Sequence, residues 1–153
     1  MSTYQIQARD YSKIAKDIKI CVITSSFNSD YSFALEKKNT DFLNIQWFAS
    51  IDNYQVPGAF EIPWMLARLL KKWGYDLFLC FGVVVKWDTP HFDYVCTEVA
   101  RGVMNMTLQY PTPIIFWILT CNDFDQVKAR ISENYAISGL NLLAEIVEKN
   151  VHH

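Results

Sequence analysis

Three uninterrupted apolar runs mark out the chain. They cover residues 19–26 (KICVITSS), 76–85 (DLFLCFGVVV) and 113–120 (PIIFWILT). The runs are rich in β-branched and aromatic residues and do not alternate with polar ones, which is typical of strands that a parallel sheet buries on both faces. A weaker apolar segment, residues 43–50, predicts a further strand, and residues 3–8 (TYQIQA) form a short alternating segment.

The segments between the runs carry helical spacing. Apolar residues recur three and four positions apart after Ala59 and again after Pro90, and Gly74 is placed to end the first of these helices. The predicted helices cover residues 29–42, 59–73, 90–109, 123–131 and 136–149. Alternation of strands and helices predicts an α/β fold with helices on both faces of a parallel sheet.

Composition narrows the class of protein. The 153 residues suffice for one domain with a core and are too few for two. A hydrophobic fraction of 51% argues against disorder, and a net charge of -2 gives no footprint for nucleic acid or an anionic membrane. The start of the chain shows no signal peptide and no apolar run reaches membrane-span length, so we expect a cytoplasmic protein whose four cysteines are free, buried thiols.

Ligands of parallel α/β sheets bind outside the carboxyl ends of the strands, so the residues after each run carry the information. They are Ser26-Phe27-Asn28, VPGAFEIP (56–63), KWDTPH (86–91) and TCND (120–123). None of these segments is a Walker loop, GxGxxG, HExxH or GxSxG motif. The sequence therefore predicts where a site lies but not which chemistry takes place there.

The segment Thr89-Pro90-His91 has the signature of a helix start. Thr89 is a good N-cap and Pro90 a favoured first helical residue, which places His91 in the first turn. The positive end of a helix disfavours a protonated imidazole, so His91 would exchange protons near neutral pH, while the free amides attract a phosphate. The alternative is a histidine that only hydrogen-bonds locally.

Three further residues each allow two interpretations. Glu61 either complements the dipole of its helix or binds a polyol or heterocycle. Phe27 either packs in the core or stacks on a planar ligand. Arg130 is either a solvated surface side chain or a phosphate clamp.

Taken together, VPGAFEIP, GVVVKWDTPHFDYV (82–95) and PIIFWILT, in this order and spacing, resemble the 6,7-dimethyl-8-ribityllumazine synthase family of riboflavin biosynthesis. The similarity runs from about Lys19 to the end of the chain. It implies a flavodoxin-like, three-layer α/β/α sandwich with a four-stranded parallel sheet. It also implies a transferase that condenses 5-amino-6-(D-ribitylamino)uracil with 3,4-dihydroxy-2-butanone 4-phosphate to the lumazine, phosphate and water, with no metal or organic cofactor.

The resemblance also implies an assembly. Residues 1–153 would form one domain with an N-terminal arm, residues 1–17, whose strand pairs with a neighbouring subunit's sheet. The subunits would form a homopentamer, or a decamer or 60-mer built from it, with active sites between neighbours. The partners would be small-molecule substrates and other copies of the chain, and neither nucleic acid nor a membrane.

Site residues follow from the same resemblance. His91 would transfer protons. The residues implied to bind the pyrimidine and its ribityl chain are Phe27, Asn28, Ala59, Phe60, Glu61, Val83, Val84, Val85 and, from the neighbouring subunit, Phe116. Those implied to hold the phosphate are Lys86, Asp88, Thr89 and, beside Phe116 of the neighbouring subunit, Arg130.

The chain departs from the family pattern close to these residues. Lys86-Trp87 stands where the family usually has Arg-Gly, and Ser26 replaces an arginine. Trp117 and Ser138 stand where a glycine and a lysine are common. The change at Trp87 raises a structural question, because an indole that points away leaves the phosphate loop open and one that enters the loop blocks it.

These departures leave alternatives beside the enzyme. One is a non-catalytic relative that binds lumazine or flavin. Another is an unrelated flavodoxin-like module that holds a flavin phosphate, although no phosphate-cradling loop follows the first strand. The enzyme is favoured because the residues with assigned roles remain in place, notably His91 and Arg130, which a mere binder would not need together.

Overall fold

The structure, a computed structural model, describes residues 5–48, 50–72, 74–149 and 151. Its strands are β1 (Lys19–Ser25), β2 (Ser50–Val56), β3 (Leu77–Val85) and β4 (Ile114–Cys121). Its helices are α1 (Ser29–Ile45), α2 (Ile62–Lys72), α3 (His91–Gln109), α4 (Phe124–Arg130) and α5 (Ala136–Glu148), and a 3-10 turn covers Ala59–Glu61. The four strands form one sheet in the order β2-β1-β3-β4, and every pairing is parallel.

Two hydrophobic cores lie on opposite faces of the sheet. One core joins the sheet to α1, α4 and α5 and contains Leu35 and Leu140; the other joins it to α2 and α3 and contains Leu66 and Val99. Fully burying a leucine side chain stabilises the fold by about 1.5–3 kcal/mol, so apolar contacts within these two cores are the main interaction that holds each helical layer to the sheet. The predicted three-layer α/β/α sandwich with a four-stranded parallel sheet is therefore confirmed.

The second strand differs from its prediction. Residues 43–50 were predicted to form it, but α1 continues to Ile45 and β2 begins at Ser50. Leu43 and Phe48 are apolar because the end of α1 and the turn after it reach the core, where both are buried. Because β2 is an edge strand, its Asp52 and Asn53 stay exposed, so its sequence lacks the apolar run of a central strand.

The N-terminal arm lies along α5. The Asn141 side-chain amide donates to the Gln7 carbonyl (3.0 Å), and the Tyr11 hydroxyl donates to Asn141 Oδ1 (2.8 Å). Arg9 pairs with Glu145 and Glu148. Of the predicted strand 3–8, residues 3 and 4 lie outside the described residues, and residues 5–8 are not in a strand in this single chain. Pairing with a neighbour's sheet stays a prediction.

The other predictions can be placed briefly. The predicted helix 59–73 consists of the 3-10 turn and α2, and its residue 73 lies outside the described residues. All four cysteines are free, with Cys96 partly exposed, and burial raises the pKa of the Cys21 and Cys80 thiols far above its usual value. Within the described part of the chain, no helix is both long and apolar enough to cross a membrane.

Candidate active site

A cleft of about 600 Å³ opens at the carboxyl ends of β1, β2 and β3. Segments from four parts of the chain form it: the β1–α1 connection, the loop and 3-10 turn after β2, the end of β3 and the start of α3. The lining residues are Phe27, Pro57, Gly58, Ala59, Phe60, Glu61, Val84, Trp87, Thr89, His91 and Val95. Three of the four predicted strand-end segments therefore meet at one place.

The β1–α1 connection presents the ring of Phe27. The amide of Ser26 donates to the Val56 carbonyl (2.8 Å) and that of Phe27 to the Pro57 carbonyl (3.0 Å), which ties the connection to the loop after β2. Asn28 then adopts the left-handed conformation (φ 57°), and its side-chain amide donates to the Val83 carbonyl (2.9 Å). With its backbone held on both sides, Phe27 keeps 54% of its surface exposed toward the cleft.

The turn after β2 is closed by Glu61. Its Oε2 accepts a hydrogen bond from the Gly58 amide (3.1 Å), which satisfies an amide at the start of the 3-10 turn. A Cβ on Gly58 would lie 3.2 Å from the same oxygen, so a residue without a side chain suits this position. The bond orients Glu61 toward the cleft wall and leaves Phe60 56% exposed beside it.

The end of β3 offers backbone to the cleft. Pairing of β1 with β3 ends at Thr24 and Phe81, while β3 continues to Val85. The Lys86 amide donates to the Cys121 carbonyl (2.9 Å), so the backbone of Lys86 faces β4. Successive residues of a strand point their backbone groups to opposite sides, so the N–H and C=O groups of Val83 and Val85 face the other side, where β1 has ended. The Val83 carbonyl meets Asn28 there, whereas Val84 lines the cleft with its side chain.

The start of α3 differs by one residue from the prediction. The assigned helix begins at His91, which puts Pro90 rather than Thr89 at the N-cap position, although the dihedral angles of Pro90 (φ -62°, ψ -10°) are already helical. The Pro90 carbonyl accepts from the amides of Asp93 (3.0 Å) and Tyr94 (3.3 Å). Thr89 lines the cleft instead, and His91 in the first turn is exposed on the same wall.

The structure shows both the backbone conformation of Trp87 and the direction of its indole. Its φ is not positive, since among the described non-glycine residues only Asn28 and Trp47 have positive φ. Its indole does not point away, however: the ring centroid lies 6.1 Å from that of Phe27 and 5.5 Å from that of His91. Its centroid also lies 6.2 Å from that of Phe92, with the two rings at 73° to each other, and Trp87 forms part of the cleft wall.

A separate recess of about 230 Å³ lies along the edge strand β4 and α4, and it holds Phe116 and Arg130. Arg130 Nη1 donates to the Gln126 carbonyl (3.0 Å), and the Arg130 carbonyl accepts from the Tyr135 hydroxyl (3.0 Å). Tyr135 in turn stacks on Trp117 with centroids 3.7 Å apart. The recess and the cleft share no lining residue, so in the single chain Phe116 and Arg130 line a different surface from His91.

The remaining predicted residues occupy less central positions. Lys86 and Asp88 are exposed on the loop after β3 and are not among the cleft lining. Ser138 is partly buried, and its amide donates to the Tyr135 carbonyl (3.1 Å). Sequence reasoning missed Val95 as a lining residue, although it follows His91 by four positions and so shares its helix face. No cluster of metal-binding side chains occurs among the residues that the structure describes.

Comparison with known proteins adds an independent finding. A family model described as 6,7-dimethyl-8-ribityllumazine synthase matches residues 17–150. A protein of that name from Desulfosudis oleivorans is 35% identical over 136 residues, covering 88% of this chain and 87% of its own length. Another from Limosilactobacillus reuteri is 40% identical over 112 residues, covering 73% and 74% respectively.

Proposed function

The chain belongs to the 6,7-dimethyl-8-ribityllumazine synthase family, and from this premise we propose that it condenses 5-amino-6-(D-ribitylamino)uracil with 3,4-dihydroxy-2-butanone 4-phosphate. The products are 6,7-dimethyl-8-ribityllumazine, phosphate and water, which makes the protein a transferase of riboflavin biosynthesis. The observation that carries the proposal is the cleft, which unites the exposed ring of Phe27, the Glu61 turn and His91 on one wall.

The pyrimidine ring would lie on Phe27. An aromatic face stacks on a planar heterocycle, and the backbone of Val83 and Val85 beside it supplies donors and acceptors for the ring's polar edge. The turn that presents Ala59, Phe60 and Glu61 forms the opposite part of the wall and would take the ribityl chain and the rest of the ring. Asn28 acts through Val83, whose carbonyl its side chain holds.

The phosphate would lie at the loop between β3 and α3. Thr89 lines the cleft at this end, and the start of α3 follows it, where the first amides have no helical partners and are available to an anion. Lys86 and Asp88 border the same loop and are exposed. Arg130 would complete the phosphate site from a neighbouring subunit, with Phe116 covering the pyrimidine ring.

The chemistry requires positioning and proton transfer. An amine attacks a ketone and a first water leaves as the imine forms; phosphate is then eliminated, and the second ring closes with loss of a second water. His91 is the histidine of the cleft lining and would transfer the protons, and positioned acid–base groups accelerate such steps by about 10²–10⁴-fold. Neither a metal nor an organic cofactor is needed, because no step requires a strong nucleophile or a redox change.

The assembly would be a homopentamer, or a decamer or 60-mer built from it. Exposed apolar side chains on α3 support burial between subunits: Tyr94, Met104 and Leu108 are 66%, 54% and 79% exposed in the single chain. Light scattering should therefore find a mass of at least five subunits, and a stable monomer would contradict the shared site. The net charge of -2 suits small-molecule and self-association partners rather than nucleic acid or a membrane, and four free thiols suit the cytoplasm.

A turnover assay tests the function. Purified protein mixed with both substrates should form the lumazine, seen by its fluorescence, well above the uncatalysed condensation. His91→Asn, which keeps a polar side chain of similar size, should lower the rate by about 100-fold or more while leaving the assembly intact. A correctly assembled protein that binds lumazine without any rate above background would support the non-catalytic alternative instead.

A further inference from the structure

The indole of Trp87 forms a corner with Phe27 inside the cleft. The two rings are tilted by 56°, and their centroids are 6.1 Å apart. A parallel sandwich around a ligand ring needs about 7 Å between two parallel faces, so these residues do not clamp a ring between them. A planar ring that lies on Phe27 instead presents its edge to the indole.

The position of His91 indicates which edge of the ligand ring faces the indole. Trp87 lies 5.5 Å from His91, centroid to centroid, and both residues line the cleft on the side of Thr89. In the proposed reaction, proton transfer takes place where the four-carbon unit joins the uracil. The new ring is therefore closed on the His91 side of the pyrimidine, which is also the side of Trp87.

We propose that Trp87 is a specificity-determining residue that contacts the newly closed ring, so that the cleft holds the two-ring product more tightly than the one-ring uracil substrate. This inference rests on the proposed function. A uracil on Phe27 reaches the indole only with its substituents, whereas the fused second ring and its methyl groups extend to the indole itself. The added aromatic and methyl contact is absent before ring closure.

The backbone at Trp87 allows this role without strain. Its φ lies outside the left-handed region, so a phenylalanine or leucine at this position keeps the loop conformation. The indole also rests against Phe92 on α3, which holds it at the cleft wall while 36% of the side chain remains exposed to a ligand. Variants of Trp87 therefore change the contact with the ligand more than they change the fold.

Binding of two probes tests the inference. The first is 6,7-dimethyl-8-ribityllumazine, and the second is 5-nitro-6-(D-ribitylamino)uracil, a one-ring analogue that lacks the reactive amine. Titration calorimetry on the assembled protein should show that Trp87→Leu weakens lumazine binding by about tenfold and the one-ring analogue by about twofold, because the contact between the indole and the second ring is lost only for the former. Trp87→Phe should keep lumazine affinity within about threefold.

A matched control isolates the indole. Trp47→Phe removes an exposed tryptophan away from the cleft and should change neither affinity. Stopped-flow release of lumazine should be about tenfold faster from Trp87→Leu than from the wild type, since related ligand contacts act mainly on dissociation. Equal losses for the two probes, or no loss for either, would overturn the role of Trp87.

Failure of the proposed function would look different. A wild-type protein that forms no lumazine from its substrates refutes the enzyme, whatever the variants bind. An unchanged ratio of the two affinities in a protein that does turn over refutes only the specificity role.

Discussion

The cleft and the recess are built in different ways although the sequence predicts residues of one site in both. The cleft is held by contacts between distant segments, such as Asn28 with Val83 and Phe27 with Pro57. The recess lies on the edge strand β4, and Arg130 in it is held by local bonds along α4 and to Tyr135. The cleft is assembled entirely from segments of one chain, whereas the recess lies at the outer edge of the sheet.

This difference indicates which part of the active site a second chain would supply. His91 lies on the cleft wall together with Phe27 and Glu61, all from one chain. Arg130 and Phe116 lie apart from that wall, so their assigned roles require that a neighbour bring its recess to the cleft. The comparison therefore supports an active site shared between subunits, and four changes test it.

Complementation between two inactive variants has the largest expected effect. His91→Ala damages the cleft and Arg130→Ala the recess, and each should lower the rate by about 100-fold or more. When the two are co-expressed in equal amounts, random assembly gives about one quarter of sites an intact cleft beside an intact recess, so about a quarter of the wild-type rate should return. The measurement is lumazine formation per subunit.

The control for this experiment uses His91→Ala with the double variant His91→Ala/Arg130→Ala. This mixture contains no intact cleft and should regain nothing. If the mixture of single variants also regains nothing, both regions serve one chain, and the comparison drawn above is wrong.

Gly82→Ala tests how tightly β3 is packed against its neighbouring strands, two residues before the cleft-lining Val84. A Cβ there would lie 2.7 Å from Ser25 Oγ and 3.3 Å from Ile118, so the free energy of unfolding should fall by about 1–3 kcal/mol. Denaturant unfolding at fixed protein concentration measures it. Ser25→Ala removes the nearer atom and should reduce the cost, whereas Gly74→Ala, with no atom within 4 Å of the added Cβ, should cost little. Equal costs at both glycines would contradict this packing.

Asn28 tests the link between β1 and β3. Asn28→Ala loses the bond to Val83 and replaces asparagine, which tolerates a left-handed backbone, with alanine, which adopts it much less readily; together these should cost about 1–2 kcal/mol of stability. Asn28→Gly loses the same bond but tolerates φ 57°, so it should cost roughly 1 kcal/mol less than alanine. If the two variants have the same denaturant midpoint, the left-handed backbone at residue 28 does not contribute to the loss of stability.

Tyr135→Phe tests the support behind the recess and should have the smallest effect. It removes the hydroxyl that donates to the Arg130 carbonyl but keeps the stack on Trp117, so unfolding should become easier by about 0.5–1.5 kcal/mol. Burial raises the pKa of Tyr135, so the hydroxyl keeps this bond throughout the neutral range. Tyr94→Phe, at an exposed position, should stay within about 0.5 kcal/mol of the wild type.

Much of the fold could be predicted because central parallel strands carry a strong signal. The central strands β1 and β3 are buried on both faces, and the edge strand β4 is buried over most of its length, so their apolar runs are continuous and their bounds were predicted to within one or two residues. β2 could not be predicted in the same way, since its pattern SIDNYQV mixes exposed and half-buried positions. The apolar residues near it, Leu43 and Phe48, belong to the end of α1 and its turn.

The site was predictable to the extent that strand ends define it. Phe27, Glu61 and His91 follow three different strands and lie on one cleft, as parallel topology requires. The orientation of Trp87 was not predictable, because a loop residue with ordinary φ turns its side chain according to contacts made with Phe27 and Phe92. The separation of Arg130 from His91 depends on the course of β4, which no local pattern records.

The strand order β2-β1-β3-β4 has a consequence for synthesis on the ribosome. Ile20 of the central strand β1 pairs with Ile51 on one side and Leu77 on the other, and both partners are translated later. At about 5–20 residues per second, Leu77 follows Ile20 by roughly 3–11 s. During that interval the nascent chain carries an apolar strand with an open edge, which is the kind of segment that chaperones at the tunnel exit recognise.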